Sequence, residues 1–270
     1  MNKEKIAVVF SGGGTLCAYS AGVVSALVKK YDLKKPDIII GNSGGAGTAA
    51  YYVSGQYDLI ERIWGEVVAT NKFVDYLRIK EIADIDFIIE IFSKIVKLNL
   101  KSIKNSKIKF FISTTNSVSG KVKYFSNKDN ILEALRASMA MPVVYNKEII
   151  IGKQKYIDSP ITCLPVNIKK AISLGAKKII VVGDDSVYPL RDSLFKVWIL
   201  TKSKEFNKSY NDYLKLSKTY KIPKNIKVVY ISSKNLPVGV LDINKTHLKN
   251  TINKGYNDTI NNKDLEKLFL

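Results

Sequence analysis

Twice within the first 55 residues, a short apolar run ends in a glycine cluster and passes straight into a segment with helical spacing. Residues 5–10 (KIAVVF) meet SGGG at 11–14, and Leu16, Tyr19, Val23, Val24, Leu27 and Val28 then recur on one face of residues 15–31. Residues 36–40 (PDIII) meet GNSGG at 41–45, and AGTAAYYVSG follows at 46–55. A strand that feeds a helix through a tight turn, and does so twice, predicts a parallel sheet covered by helices. That alternation excludes an all-helical bundle and a β-sandwich for this part of the chain.

The remaining pattern continues the theme. Residues 56–105 read as mainly helical, with Ile88, Ile91, Phe92, Ile95 and Val96 on one face of 85–100. Strands are expected at 107–116 and 121–126, paired across SVSG, then a helix over 130–140 ended by Pro142. Residues 153–166 read as a strand running into a proline-containing loop. A helix over 167–176 closes on glycine and feeds a buried strand at 177–183. A long helix over 195–220, a last strand at 225–232 and a terminal helix or helix pair complete the chain. No linker, repeat or low-complexity tract interrupts it. One domain over 1–270 is therefore expected, with residues 184–270 completing a core laid down earlier.

Composition narrows the class. Hydrophobic residues make up 46% and charged residues 25% of the 270, as in a globular protein with a substantial core. The apolar runs are too short for a transmembrane helix, and the N-terminal run is too short for a signal peptide. Cys17 and Cys163 make neither a disulfide framework nor a metal-binding spacing, so no metal or cofactor is expected and the cytoplasm is the default location. The net charge of +19 predicts attraction to a polyanion. No helix-turn-helix, zinc-finger or RNP pattern is present, so nucleic acid is not the expected partner.

Ser43 is the residue the glycines single out. Gly41-Asn42-Ser43-Gly44-Gly45 fits G-x-S-x-G between a strand and a helix, the context of a nucleophile elbow. The tight turn needs minimal side chains at Gly41 and Gly45. A serine before a helix also serves as a plain N-cap. A phosphate cradle is the poorer reading: SGGGTLCAYS has no P-loop lysine, and Cys17 stands where a dinucleotide loop needs glycine. A serine hydroxyl needs a base. The order Ser43, Asp158, His247 matches a hydrolase triad superficially, but the lone histidine lies in a polar terminal helix and reads more naturally as a surface or capping residue.

The blocks FSGGGTLCAYSAGVVSAL, DIIIGNSGGA, ASMAMPVV and YIDSPITCLPV…GAKKIIVV, in that order, resemble the patatin-like phospholipases, a group of lipid acyl hydrolases. The resemblance runs from about residue 6 to 183. It implies a three-layer α/β/α domain with a mostly parallel sheet and a Ser–Asp dyad without histidine, here Ser43 and Asp158. It implies an oxyanion hole at Gly12, Gly13 and Gly14, and a phospholipid or other fatty-acyl ester as substrate. The chain departs from the family pattern at Leu16 and Cys17, where arginine and glycine are usual, and at Ser159-Pro160, where glycine usually follows the aspartate. These departures leave room for a weakened or silent protein that only docks on membranes. An enzyme of this kind works at an interface. The positive charge would hold it peripherally to anionic lipid. The stripe at Ile88–Val96 would dip into lipid, cover the acyl pocket, or simply pack on the sheet.

Overall fold

The computed structural model describes residues 4–78, 81–158, 164–183, 195 and 197–269. Strand β1 (Lys5–Phe10) and helix α1 (Ala18–Lys29) are joined by SGGG and one tight 3-10 turn, Gly14–Cys17. Strand β2 (Ile38–Asn42) turns at Ser43 into α2 (Gly44–Ser54). Helices α3 (Tyr57–Arg62), α4 (Ile85–Glu90) and α5 (Leu100–Asn105) follow. Then come β3 (Lys109–Asn116), β4 (Val122–Ser126), α6 (Ile131–Met139), β5 (Ile149–Ile151) and β6 (Gln154–Ile157). The chain closes with α7 (Leu164–Ser173), β7 (Ala176–Val182), α8 (Lys204–Thr219), β8 (Lys227–Ile231), α9 (Lys245–Ile260) and α10 (Lys263–Phe269).

Among the described residues, eight strands form one sheet in the order β5-β6-β3-β2-β1-β7-β8, with β4 also pairing β3. The contacts β3–β2, β2–β1, β1–β7 and β7–β8 are parallel; β4, β6 and β5 add antiparallel pairings at one edge. Alternation along the central strands builds two cores. Val8, Phe10 and Ile39 join the large cluster beneath α1, α2 and α6, while Ala7, Val9, Ile38 and Ile40 meet Ile168 and Ala171 of α7 on the opposite face. This is the expected three-layer α/β/α arrangement. Chain order reverses direction at β1, which has β2 on one side and β7 on the other. The carboxyl ends of β1 and β2, where both glycine turns lie, are thus at a topological switch point.

Four expectations change. Strand β2 runs two residues further than its apolar run, because Gly41 and Asn42 still pair with Phe10 and Ser113 in the ladder. Helix α7 starts at Leu164 rather than 167; Pro165 fits its first turn, where the missing N–H would have no intrahelical partner. The helix expected over 195–220 breaks before Lys204, where the Ser203 side chain caps the amide of Phe206 and starts α8 afresh. The stripe on 85–100 divides. Ile88, Ile91, Phe92 and Val96 are buried and pack inward, so they do not dip into lipid; Ile95 is exposed. The cause is a wide turn over Ile91–Ile95, in which the Val96 amide bonds the Ile91 carbonyl five residues back.

Candidate active site

The turn after β2 is backbone-strained at the residue the sequence singled out. Ser43 has φ 51° and ψ −133°, a conformation that L-residues with a Cβ rarely hold. Its surroundings permit no more bulk. A Cβ on Gly41 would come within 2.6 Å of Ala46 Cα, and one on Gly45 would meet the Ser11 carbonyl at 2.2 Å. The two elbow glycines are therefore dictated by close approach between the turn, α2 and the end of β1.

Ser43 does not cap α2 with its side chain. Its Oγ instead donates to Asp158 Oδ2 at 2.7 Å, and both residues are buried. Asp158 follows β6, which pairs with the far end of β3, so the sheet carries the aspartate to the serine across 115 positions of sequence. The Asp158 amide donates to the Ala140 carbonyl at 3.0 Å, just past the end of α6. The second carboxylate oxygen, Oδ1, accepts from Asn42 Nδ2 at 3.4 Å.

Two further residues hold the turn, and sequence reasoning gave neither a role. Ser138, on α6, accepts the Ser43 amide at 2.8 Å and donates its hydroxyl to the Ser113 carbonyl at 2.8 Å. It ties the elbow to β3 through one fully buried side chain. Asn42 reaches Asp158 and, at 3.5 Å, the Ser113 carbonyl, while its own Oδ1 is buried without a partner among the described residues. Ser138 lies in the block ASMAMPVV and Asn42 inside G-x-S-x-G, so the motifs marked both neighbourhoods without revealing the contacts.

The first glycine loop lies directly against the elbow. A Cβ on Gly12 would meet Ser43 Cβ at 2.8 Å and Asn42 Oδ1 at 2.9 Å. Gly13 has φ 144° and Gly14 φ 59°. The loop is clamped at both ends: the Ser11 amide donates to the Val182 carbonyl, and the Thr15 amide to the Val240 carbonyl, each at 2.9 Å. Thr15 Oγ1 also donates to the Gly239 carbonyl at 2.7 Å. The amides of Gly12, Gly13 and Gly14 between those clamps take no partner among the described residues. The C-terminal loop Gly239–Val240 thus shapes a site laid down two hundred residues earlier.

The departures at the first loop sort themselves out in space. Leu16 is partly buried against the main core. Cys17 is buried, its Sγ 3.7 Å from the Ser11 carbonyl, and a Cβ on Gly44 would come within 2.9 Å of that sulfur. Burial, with the negative charge of Asp158 adding to it, pushes the Cys17 thiol far above its usual range and keeps it in the protonated form. Ser159, Pro160 and Cys163 lie outside the described residues. His247 is elsewhere in its bonding: Nδ1 sits 2.7 Å from Asp242 Oδ2 on an exposed side chain in the first turn of α9. The triad order of the sequence is not assembled, since the carboxylate facing Ser43 is Asp158 and the one facing His247 is Asp242.

Chemically, the arrangement is a buried hydroxyl hydrogen-bonded to a buried carboxylate, at a helix N-terminus and beside three amides with no partner among the described residues. No group of three potential metal ligands occurs among the described residues, and no described helix is long and apolar enough to cross a membrane.

Comparison with known proteins agrees with that architecture. The family model for patatin-like phospholipase matches residues 8–162. YjjU of Escherichia coli strain K12, an uncharacterized protein, is 25% identical over 186 residues, 66% of this chain and 51% of its own. The chain thus spans about half the length of that relative. The crystal structure of VipD from Legionella pneumophila superposes with a TM-score of 0.58 over 98% of this chain and 67% of VipD, at 12% identity, which speaks to fold.

Proposed function

The chain belongs to the patatin-like phospholipase family, and from that premise we propose that it is a serine lipid acyl hydrolase acting through a Ser43–Asp158 dyad. The observation that carries the reading is the 2.7 Å hydrogen bond from Ser43 Oγ to Asp158, made inside a strained and buried elbow. All 270 residues act as one domain on this reading, because the C-terminal Gly239–Val240 loop clamps the first glycine loop.

Ser43 Oγ attacks the carbonyl carbon of a fatty-acyl ester while its proton passes to Asp158. The carbonyl oxygen becomes an oxyanion, received by the amides of Gly12–Gly14 and favoured by the N-terminus of α2; removing one such donor costs about 3 kcal/mol of transition-state stabilisation. Collapse of the tetrahedral intermediate breaks the ester C–O bond. The leaving alcohol or lysolipid takes the proton from Asp158, and an acyl-serine remains. Water, giving a proton to Asp158, then attacks the acyl-serine; collapse breaks the bond to Ser43 Oγ, which takes that proton back from Asp158, and the fatty acid is freed. The substrate is a phospholipid or related acyl ester, met at an anionic membrane surface to which a chain of net charge +19 is drawn peripherally from the cytoplasm.

The test is fatty-acid release from mixed lipid vesicles by wild type, Ser43→Ala and Asp158→Ala, with fluorophosphonate labelling in parallel. Release and labelling by wild type, both absent in Ser43→Ala, are expected. A wild type that neither labels nor releases fatty acid would leave a silent membrane-docking protein as the better account.

A further inference from the structure

Residues 195–200 read FKVWIL, apolar at five of six positions. Such a segment belongs in an interior on every side. Among the described residues, the interior it meets lies on one side. Ile199 joins Ile157 and Phe206 in a small buried cluster, with Phe195 and Trp198 packed against it. Ile157 is the residue immediately before Asp158, so this inner side is fastened to the strand that delivers the aspartate. On the outer side, Val197 is 65% and Leu200 79% exposed.

Two more exposed apolar side chains lie on segments bonded to the residues just after this one. Ser203 Oγ donates to the Val118 carbonyl at 2.8 Å, which places Val118 near the segment's C-terminal end. Ile150 pairs with Lys155 in the β5–β6 hairpin, and Lys155 shares the carboxylate of Glu148 with Lys202. Val118 and Ile150 are both more than half exposed. Around them the charge is one-sided. Segments 117–121, 148–155 and 197–205 together contain five lysines (121, 153, 155, 202 and 204) and two glutamates (148 and 205). Lys202 Nζ also lies 4.2 Å from the centre of the Trp198 ring.

We propose that this face docks the protein on an anionic bilayer, with Val197 and Leu200 entering the acyl layer, Val118 and Ile150 beside them, and the lysines at the level of the lipid phosphates. Charge decides the occupant. A second copy of the same face would bring one excess of lysines against another, whereas an anionic lipid surface complements it. The inference rests on the reading of the chain as a lipid acyl hydrolase and adds the side on which the lipid lies: next to Asp158, on the edge of the sheet where β5 and β6 pair.

The experiment separates docking from chemistry. Binding is measured by co-sedimentation in the Ser43→Ala background, with vesicles of phosphatidylcholine alone and with phosphatidylglycerol added. Hydrolysis is measured on the same vesicles and on a soluble short-chain p-nitrophenyl ester. Val197→Ser/Leu200→Ser, both exposed positions, is expected to weaken binding to the anionic vesicles at least tenfold and to lower vesicle hydrolysis in proportion, with soluble-ester hydrolysis within twofold of wild type. Unchanged vesicle binding by the double variant overturns the proposal, as does a wild-type dimer that the same variant dissolves. Vesicle binding that depends on Val197 and Leu200 in a protein with no hydrolysis of either substrate upholds the docking face and sinks the enzymatic reading instead.

Discussion

Asp158 and Asp242 each hold a hydrogen-bonding side chain at 2.7 Å, Ser43 in the first case and His247 in the second. On distance alone the two pairs are equivalent, and the imidazole would be the better base. Their surroundings separate them. Ser43 and Asp158 are buried, the serine sits at a φ of 51°, and the contact joins two strands' ends. The second pair is a local one, five residues apart at the start of α9, with the His247 side chain about half exposed. It rounds off a helix start: Asn244 accepts from the amides of Thr246 and His247, while Asp242 accepts from the Asn244 amide. Burial, backbone strain and long-range delivery mark a candidate catalytic pair, while proximity and residue type do not.

The same change made in both pairs separates them most. Asp158→Asn removes the proposed base and is expected to lower ester hydrolysis at least a thousandfold, about 4 kcal/mol in activation free energy. Asp242→Asn and His247→Ala are expected to stay within twofold of wild type. Loss of several orders of magnitude in His247→Ala would invert the assignment. A backbone change tests the strain argument next. In Gly45→Ala the new Cβ would lie 2.2 Å from the Ser11 carbonyl, so the elbow or the first loop must shift. The expected results are a stability loss of about 1–3 kcal/mol, the usual range for overpacking, and activity down at least a hundredfold. Gly55→Ala, with nothing within 4 Å but a φ of 79°, should cost stability while leaving kcat nearly unchanged. Ser138→Ala is milder. It strips the Ser43 amide of its acceptor in a buried place, which typically destabilises by about 1–3 kcal/mol. Activity should fall about tenfold, measured alongside thermal melting so that the two effects are separated.

How much of this was legible beforehand follows from which forces act locally. The two strand–glycine–helix units declared themselves because turn chemistry and apolar spacing are written in adjacent residues. The G-x-S-x-G turn pointed to Ser43 and ordered blocks resembling a family pointed to Asp158 and the loop glycines; the fold places Ser43 against both Asp158 and Gly12. What stayed hidden depends on tertiary contact. Val240 clamps Thr15 across 225 positions, Ser138 reaches Ser43 across 95, and neither pairing has a local signature. The failed stripe at Ile95 has a local cause of another kind: Ile95 closes a wide helical turn that does not keep the 3.6 period on which the reading depended, while Val96, just past its end, still packs inward. Strand β5, three residues long, was too short to register as a strand against the flanking polar residues.

The smallest effect lies wholly in the exposed pair and concerns stability rather than chemistry. Partial burial tends to raise the Asp242 carboxyl, but the Asn244 amide and the His247 side chain outweigh it, and its net position is below the ordinary aspartate value. The folded state therefore binds its proton less readily than the unfolded chain. The resulting stabilisation is present above the unfolded value, near pH ~4, and is lost as pH falls through the lower folded value. Thermal melts of wild type and Asp242→Asn should differ by a small amount above about pH 5, on the order of 1 kcal/mol or less for so exposed a pair, and should converge as pH drops below 4. A gap that widened on acidification would mean that Asp242 is stabilised as the protonated acid and that its two hydrogen-bond donors do not hold the charge. Ester hydrolysis by the two proteins, followed over the range above pH 5, should superimpose, because the group that shapes the rate profile on this reading is Asp158, at the other pair.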